Sequence, residues 1–355
     1  MDIKERKEEH IDLVKKGKVE YEQVTGWFEY VYLVHQALPE LNFDEVDTSA
    51  SFLNWKFSAP LIIDSMTGGS EETKEINKNL ASLAHELGIG MGVGSQRAAI
   101  EDPSLSDTFS VVRDVAPDIF VIANLGAAQI SEYDIDKVKK AVEMVKANAL
   151  AIHLNPLQEA IQPEGEPKFK GVLQKIAEIT KSVGVPVIVK EVGSGISKEV
   201  ALNLKLVGVS AINVAGAGGT NWTKIEGERA KKHKKSEKYE LSEVFSEWGI
   251  PTAASIIEVR SVTDLPIIAS GGIRNGLDVA KAIALGADIA AMAGNVLREL
   301  LNKGYDSAKN YLNEIIMEYK LALFLTGSKN VGELKRKRKI ILGPLAEWAR
   351  QVGYL

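Results

Sequence analysis

Short apolar, β-branched runs recur along the chain at nearly regular spacing, each followed by a stretch with helical periodicity. The runs occupy residues 60–64, 89–93, 119–123, 149–154, 186–190, 211–214, 266–269 and 289–292. They show little polar alternation, which predicts strands buried on both faces, as in a parallel sheet. Between them, apolar stripes at helical spacing predict helices: Ile76, Leu80, Leu83, Ala84 and Leu87; Val138, Ala141, Val142 and Val145; Val172, Leu173, Ile176 and Ile179; Val279, Ala282, Ile283 and Leu285. Gly88, Gly184, Gly208 and Gly286 stand just past helical stretches, where a left-handed C-terminal residue is expected. Eight such units close on themselves more naturally than they form an open sheet. The expected fold class is therefore α/β, a (β/α)8 TIM barrel, with a doubly wound sheet as the alternative.

Three segments fall outside the repeating pattern. Residues 1–58 form an N-terminal extension, residues 223–250 an insertion after strand six, and residues 305–355 read as C-terminal helices. The expectation is one domain over 1–355 with a barrel core at about 59–304. The insertion carries the basic run Lys231-Lys232-His233-Lys234-Lys235, which reads as a solvated helix face rather than an anion contact because acidic residues surround it.

Composition narrows the chemistry. The 355 residues are 45% apolar, ordinary for a large core, and the formal charge of −5 argues against a nucleic-acid surface. Cysteine is absent, so thiolate metal sites, disulfides and thiol nucleophiles are excluded. The charged start lacks an apolar targeting stretch, and no apolar run has membrane-spanning length, so a cytoplasmic protein is expected.

In a barrel of this kind the chemistry lies at the C-terminal ends of the strands. Polar and glycine residues collect there. Strand one ends in Ser65-Met66-Thr67-Gly68-Gly69 and strand two in Gly94-Ser95-Gln96-Arg97, whose arginine could fork onto phosphate oxygens. Asn124 ends strand three; it could fix a planar ring or cap a helix. Strand four ends in His153, Asn155, Gln158 and Glu159, four polar groups within seven positions, with His153 and Asn155 on one face by the period of two. Lys190 follows an apolar strand and needs an anionic partner if buried, Glu191 or another acid. Strand six runs into Gly218-Gly219-Thr220-Asn221-Trp222. Strands seven and eight run into Gly271-Gly272-Ile273-Arg274 and Ala293-Gly294, the recurring phosphate site of these barrels. A lysine at strand five together with that phosphate site suggests FMN.

These segments resemble the type 2 isopentenyl-diphosphate isomerases, a family of FMN-dependent barrels. The resemblance rests on Arg6-Lys7 with His10, Met66-Thr67-Gly68-Gly69, the GVGSQR segment ending at Arg97, Asn124-Leu125-Gly126 and the HLNPLQE segment from His153 to Glu159. It continues through Gln162-Pro163-Glu164-Gly165, Val189-Lys190-Glu191, Gly218 to Trp222, residues 251–255 and Ser270 to Arg274, and so runs from residue 6 to about residue 350. It implies FMN bound by Ser65, Met66, Thr67, Ser95, Asn124, Lys190, Thr220, Gly271, Gly272, Ile273, Arg274, Ala293 and Gly294. It implies a substrate diphosphate held by Arg6, Lys7, Ser95, Gln96 and Arg97, with Mg2+ on Glu159. Gln158 would face the hydrocarbon, and His153 and Asn155 would shape the pocket. NADPH would serve only to reduce the flavin, and the assembly would be a homotetramer or higher homo-oligomer. Two positions depart from the family pattern. Residue 213 is Asn where an acid is expected, and strand eight reads Met292-Ala293-Gly294-Asn295.

The implied reaction moves a double bond by one carbon, with reduced FMN as acid–base catalyst and no net redox change. One rival is an FMN-dependent oxidoreductase of a small hydroxy acid. It would want an Arg/His pair near strand seven, yet no histidine follows His233. The other is a regulator that binds a flavin or phosphate without turnover, for which the polar groups at strand four are excessive.

Overall fold

The computed structural model describes residues 3–17 and 19–355, with side chains from residue 6 onward. Eight parallel strands close into a barrel: β1 (Leu61–Ile63), β2 (Gly90–Gly92), β3 (Val121–Gly126), β4 (Ala149–His153), β5 (Val187–Lys190), β6 (Ala211–Asn213), β7 (Ile267–Ala269) and β8 (Ile289–Met292). Pairing runs in sequence order and closes β8 onto β1, with Ala290 opposite Leu61 and Met292 opposite Ile63. Closure rules out the doubly wound sheet, which leaves two free edges. It follows from eight units of similar length, each strand too apolar to leave an edge in water.

The described strands are buried on both faces apart from the half-buried His153 at the end of β4, which is why their sequences lack alternation. Ile62, Ile122, Ala149, Ala151, Ile188, Ala211, Ile268, Ile289 and Ala291 pack together inside the barrel. Their cluster continues into Phe52, Phe57 and Phe120. Phe52 and Phe57 come from the antiparallel hairpin Ala50–Phe52/Trp55–Phe57, whose rings meet Phe120 edge-on at 6.2 and 5.5 Å. Phe120 immediately precedes β3, so the hairpin plugs the N-terminal end of the barrel. The opposite end is left for chemistry.

The helical stripes face the barrel as expected, except that Leu173 is 40% exposed. Gly88 and Gly286 end their helices at φ 63° and 115°. The segment 305–355 is not purely helical. Helices Tyr305–Leu325, Val331–Arg336 and Gly343–Gln351 enclose a strand, Lys339–Ile341, that pairs antiparallel with Val31–Leu33 from the N-terminal extension. Neither strand is visible alone, because each is three residues long and specified only by its partner.

Four helices frame the mouth: α1 (Ile3–Lys16), α2 (Pro156–Ile161), α3 (Trp222–Lys232) and α4 (Gly294–Lys303). α1 is polar overall but buries Lys7, Ile11 and Val14, which share a stripe with His10. This stripe lines a small cavity with Trp222 of α3 and Leu297 of α4. The N-terminal extension therefore folds back over the mouth of its own barrel. The insertion supplies α3 and a further helix, Ser236–Val244, before the barrel helix Thr252–Val262. Among the described residues, no helix is long and apolar enough to cross a membrane.

Candidate active site

Two contiguous cavities of about 700 Å³ each open at the C-terminal ends of the strands. They share Ser65, Met66, Lys190, Val192 and Trp222 as a common wall.

The first cavity is built largely from backbone. Gly219, Thr220, Gly271, Gly272, Ile273, Arg274, Ala293 and Gly294 line it. Gly271 and Gly272 sit at φ 96° and 70°, and a Cβ at Gly271 would stand 2.1 Å from the Gly216 carbonyl oxygen. A Cβ at Gly294 would stand 2.4 Å from Thr220 Oγ1. The loops after β6, β7 and β8 can thus approach one another only without side chains. The helix after β7 is capped, since Asn275 accepts from the Asp278 N–H. α4 has no side-chain cap, so its first N–H groups remain free to meet an anion. Arg274 and Arg298 flank this end, both bonded to the carboxylate of Glu20.

The second cavity is built from side chains. Arg6, Lys7, Arg97, His153, Asn155, Gln158 and Glu159 line it, with Ser95, Asn124, Gln129 and Gln162. β4 aims His153 into it. His153 Nδ1 lies 2.8 Å from Asn124 Oδ1, which assigns the proton to Nδ1 and leaves Nε2 as an acceptor. Burial, with Lys190, Lys7 and Arg6 nearby, pushes His153 down to about 3, so it is neutral near pH 7. Asn155 donates to Gln158 Oε1 (3.2 Å) and to Glu159 Oε1 (3.1 Å). Gln158 in turn donates to Glu226 Oε1 at 3.1 Å, so both ends of its amide are fixed. Glu159 also accepts from the Glu166 N–H at 2.9 Å. Lys7 is pushed down to about 7 by burial and by Arg6 beside it. Arg97 bonds Glu101 at 2.7 Å and is partly exposed at the rim.

The lysine at the end of β5 sits between the cavities. Lys190 donates to the backbone oxygen of Glu191 (3.0 Å), not to its carboxylate. The Glu191 carboxylate turns away to accept from the N–H groups of Val192, Gly193 and Ser194. Its acid partner is Asp64 from the end of β1, 4.0 Å away across the barrel. Asn213 donates to Asp64 and accepts from Ser270. The acid expected near position 213 is thus supplied by β1, with Asn213 as a neutral link.

The other expected residues distribute as follows. Ser95 and Asn124, expected at the flavin, line the second cavity and not the first. Thr67 opens onto the small cavity beside Lys7 and Trp222. Gln96 lines neither large cavity. It is fully buried, accepts from the Asn124 N–H and donates to the Ala141 carbonyl, so the expectation that it touches substrate is corrected: it braces β3 from behind. The basic run that begins in the last turn of α3 is not simply a solvated face. Lys231 lies over the Tyr239 ring at 5.1 Å, and Lys232 and His233 pair with Glu9 of α1.

The sequence reading missed Glu226 and Arg229 of α3. Glu226 touches Gln158 and His10, and Arg229 touches Glu226, Glu9 and Glu164. The available hint was a run of polar residues on a helix that begins with Trp222 at the mouth.

Buried polar atoms are nearly always paired. Among the described residues, buried exceptions include Ser65 Oγ, Thr67 Oγ1, Asn155 Oδ1, Arg6 Nε and Arg298 Nη1, all in or beside these cavities. Such atoms and the glycine cradle fit a phosphate-bearing cofactor beside a polar ligand.

Comparison with known proteins then decides the family. The chain is 50% identical over 349 residues to the isopentenyl-diphosphate delta-isomerase of Methanosarcina mazei, covering 98% of this chain and 95% of that protein. It is 48% identical to the enzyme of the same name from Aeropyrum pernix, over 99% and 94% of the two chains. The chain belongs to the isopentenyl-diphosphate delta-isomerases. Residues 132–340 also match the FMN-dependent dehydrogenase family, so this isomerase is of the FMN-dependent type. Among solved structures, a mandelate oxidase (16% identity, TM-score 0.66, covering 95% and 99% of the chains) and a flavocytochrome b2 (17%, 0.68, 92% and 81%) share the barrel. At such identities the likeness is one of fold.

Proposed function

We propose that the protein interconverts isopentenyl and dimethylallyl diphosphate, with FMN in the glycine-lined cavity and the substrate in the cavity lined by cations. The observation that carries this reading is the shared wall. One cavity offers an uncapped helix terminus and glycine loops, and its neighbour offers Arg6, Lys7 and Arg97, so two phosphorylated molecules meet at Ser65, Met66 and Lys190.

Ser65, Met66, Lys190 and Thr220 would hold the cofactor, with its phosphate on the loops at Gly271–Arg274 and Ala293–Gly294. Reduced FMN supplies a proton donor and acceptor next to the hydrocarbon, which an unactivated alkene needs. Arg6, Lys7 and Arg97 fix the diphosphate, so remote binding energy orients the reacting carbons. Gln158, clamped by Asn155 and Glu226, positions the alkene. Neutral His153 contributes a hydrogen-bond acceptor rather than an acid. α1 and Trp222 cover the mouth and exclude water.

No three His, Cys, Asp or Glu side chains gather as a metal site among the described residues. Glu159, which lines the second cavity, would hold Mg2+, an ion that commonly keeps water and phosphate ligands. NADPH acts as reductant of the flavin, the assembly is a homo-oligomer and the location is cytoplasmic in this reading.

The test is direct. Reduced holoenzyme incubated with isopentenyl diphosphate should yield dimethylallyl diphosphate without stoichiometric loss of NADPH. Absence of that product ends the proposal. Steady consumption of NADPH or oxygen with product would favour the hydroxy-acid oxidoreductase.

A further inference from the structure

We propose that Arg229 is the positioning residue that assembles the substrate half of the barrel mouth, by joining α1, α3 and the 162–166 turn. Its side chain is only 1% exposed and lines neither large cavity. Yet its guanidinium meets three carboxylates from three segments. Nε donates to Glu9 of α1 (2.8 Å), Nη1 to Glu226 of α3 (2.6 Å) and Nη2 to Glu164 of the turn (2.8 Å).

Each of these acids leads onward to a residue of the cavity. Glu226 bonds His10 Nε2 at 2.9 Å and accepts from Gln158 Nε2 at 3.1 Å. Glu164 pairs with Arg6 at 3.9 Å. Gln162, in the amide orientation that satisfies both neighbours, donates to Glu226 and accepts from Arg6, each at 3.2 Å. Glu9 shares α1 with Arg6, Lys7 and His10, and also takes Lys232 and His233. Arg229 is therefore one carboxylate away from Arg6, His10 and Gln158, and touches none of them in the bonds described.

Plain apolar packing would dock α1 as well, and a buried ion pair is often no more stable than such packing. A planar fork with fixed donor directions does something packing does not: it sets the angle between three segments at once. Lysine, a single point charge, cannot reproduce three directed contacts. Loss of the guanidinium leaves three acids near one another, which should drive α1 and the turn off the mouth.

The part of this inference that concerns substrate rests on the isomerase reading; the part that concerns α1 does not. The experiment uses full-length, FMN-loaded protein and the variants Arg229→Met and Arg229→Lys. Amide hydrogen exchange over residues 3–16 and 162–166 should quicken about tenfold or more in the Met variant, with the barrel strands still protected and FMN stoichiometry unchanged. KM for isopentenyl diphosphate should rise about tenfold or more while kcat changes less, and the Lys variant should fall between. Inorganic pyrophosphate should protect α1 in the native protein and fail to do so in the Met variant. Native-like exchange and KM in Arg229→Met would overturn the proposal. If that variant does not fold, Glu9→Gln and Glu164→Gln each remove one arm. The proposal then requires faster exchange in α1 and in the turn respectively, and unchanged exchange in both overturns it. Native protein that fails to isomerise substrate, with α1 still loosened in Arg229→Met, would sink the isomerase reading and leave this one standing.

Discussion

The two cavities at the barrel mouth are nearly equal in volume and are built by opposite means. The first is made by main chain, with glycines at positive φ and an uncapped helix terminus, all contributed by the loops after β6, β7 and β8. The second is made largely by side chains: Arg6 and Lys7 from α1, Arg97 from the rim after β2, His153 at the end of β4, Gln158 and Glu159 from α2, and Trp222 from α3. A backbone cradle binds a phosphate group whatever it is attached to, and so suits a cofactor shared across a fold. A side-chain cavity is specific to one substrate, because it depends on partners far apart in the chain. The mandelate oxidase and the flavocytochrome b2 share the barrel at 16–17% identity, whereas the two isopentenyl-diphosphate delta-isomerases named above match nearly the whole chain at 48–50%.

The sharpest way to break this contrast is to damage each cavity without the other. Gln158→Ala removes the clamped amide and should lower kcat about 10²- to 10³-fold, as expected for loss of orientation at a reacting centre, with flavin content unchanged. Steady-state kinetics and the flavin absorbance of the same sample check it. Gly271→Ala should do the reverse. Its Cβ meets the Gly216 carbonyl and its φ is unfavourable, at about 1–3 kcal/mol for the strain alone. The protein should purify with little yellow colour and lower thermal stability, and regain turnover only at high added FMN.

A titration sharpens the comparison further. Lys7 is held at about 7, below the ordinary 10.5, chiefly by burial. Its ammonium is present below that pH and lost above it, so KM for the diphosphate should be flat below about pH 7 and rise roughly in step with pH above it. Lys7→Arg, which keeps its charge, should flatten the profile. The linked stability runs the other way. Between about 7 and 10.5 the unfolded chain holds the extra proton, so the cost of burying Lys7 charged is fully present below that window and relieved as pH rises through it.

The smallest effects belong to the rim. Arg97→Met should raise KM about tenfold, since a forked guanidinium is lost from the diphosphate. Glu101→Gln, which removes only its exposed partner, should change KM by less than about threefold. A larger effect from Glu101 than from Arg97 would mean that the ion pair, not the substrate, is what Arg97 serves.

Much of this was legible in sequence, and unevenly so. Seven of the eight strands fall within one residue of the apolar run that predicts them, and β3 starts two residues inside its run and ends three past it, because a strand buried on both faces carries its own signal. The glycine loops and the His153–Glu159 segment were equally plain, since turn and strand-end chemistry is local. The pair of strands at Val31–Leu33 and Lys339–Ile341 was not, nor was the plug formed by Phe52 and Phe57. Gln96 misled, because its neighbours Ser95 and Arg97 do face the cavity while its own amide points into the wall between β3 and the helix Ile135–Met144.

The sequence by itself determined the order and number of βα units, the end of the barrel at which polar residues gather and the glycine-rich character of the loops after β7 and β8. These depend on periodicity and short-range turn chemistry, both written within a few residues. Only the tertiary structure decided that α1 folds over its own barrel, that Asp64 rather than Glu191 answers Lys190, and that Glu226 and Arg229 stand behind Gln158 and Arg6. Those choices are made by charges brought together from positions 64, 190, 226 and 229 and from the N-terminal helix. No local pattern encodes them. A buried charge selects whatever partner closure of the barrel brings within reach, and that closure is a property of the whole chain.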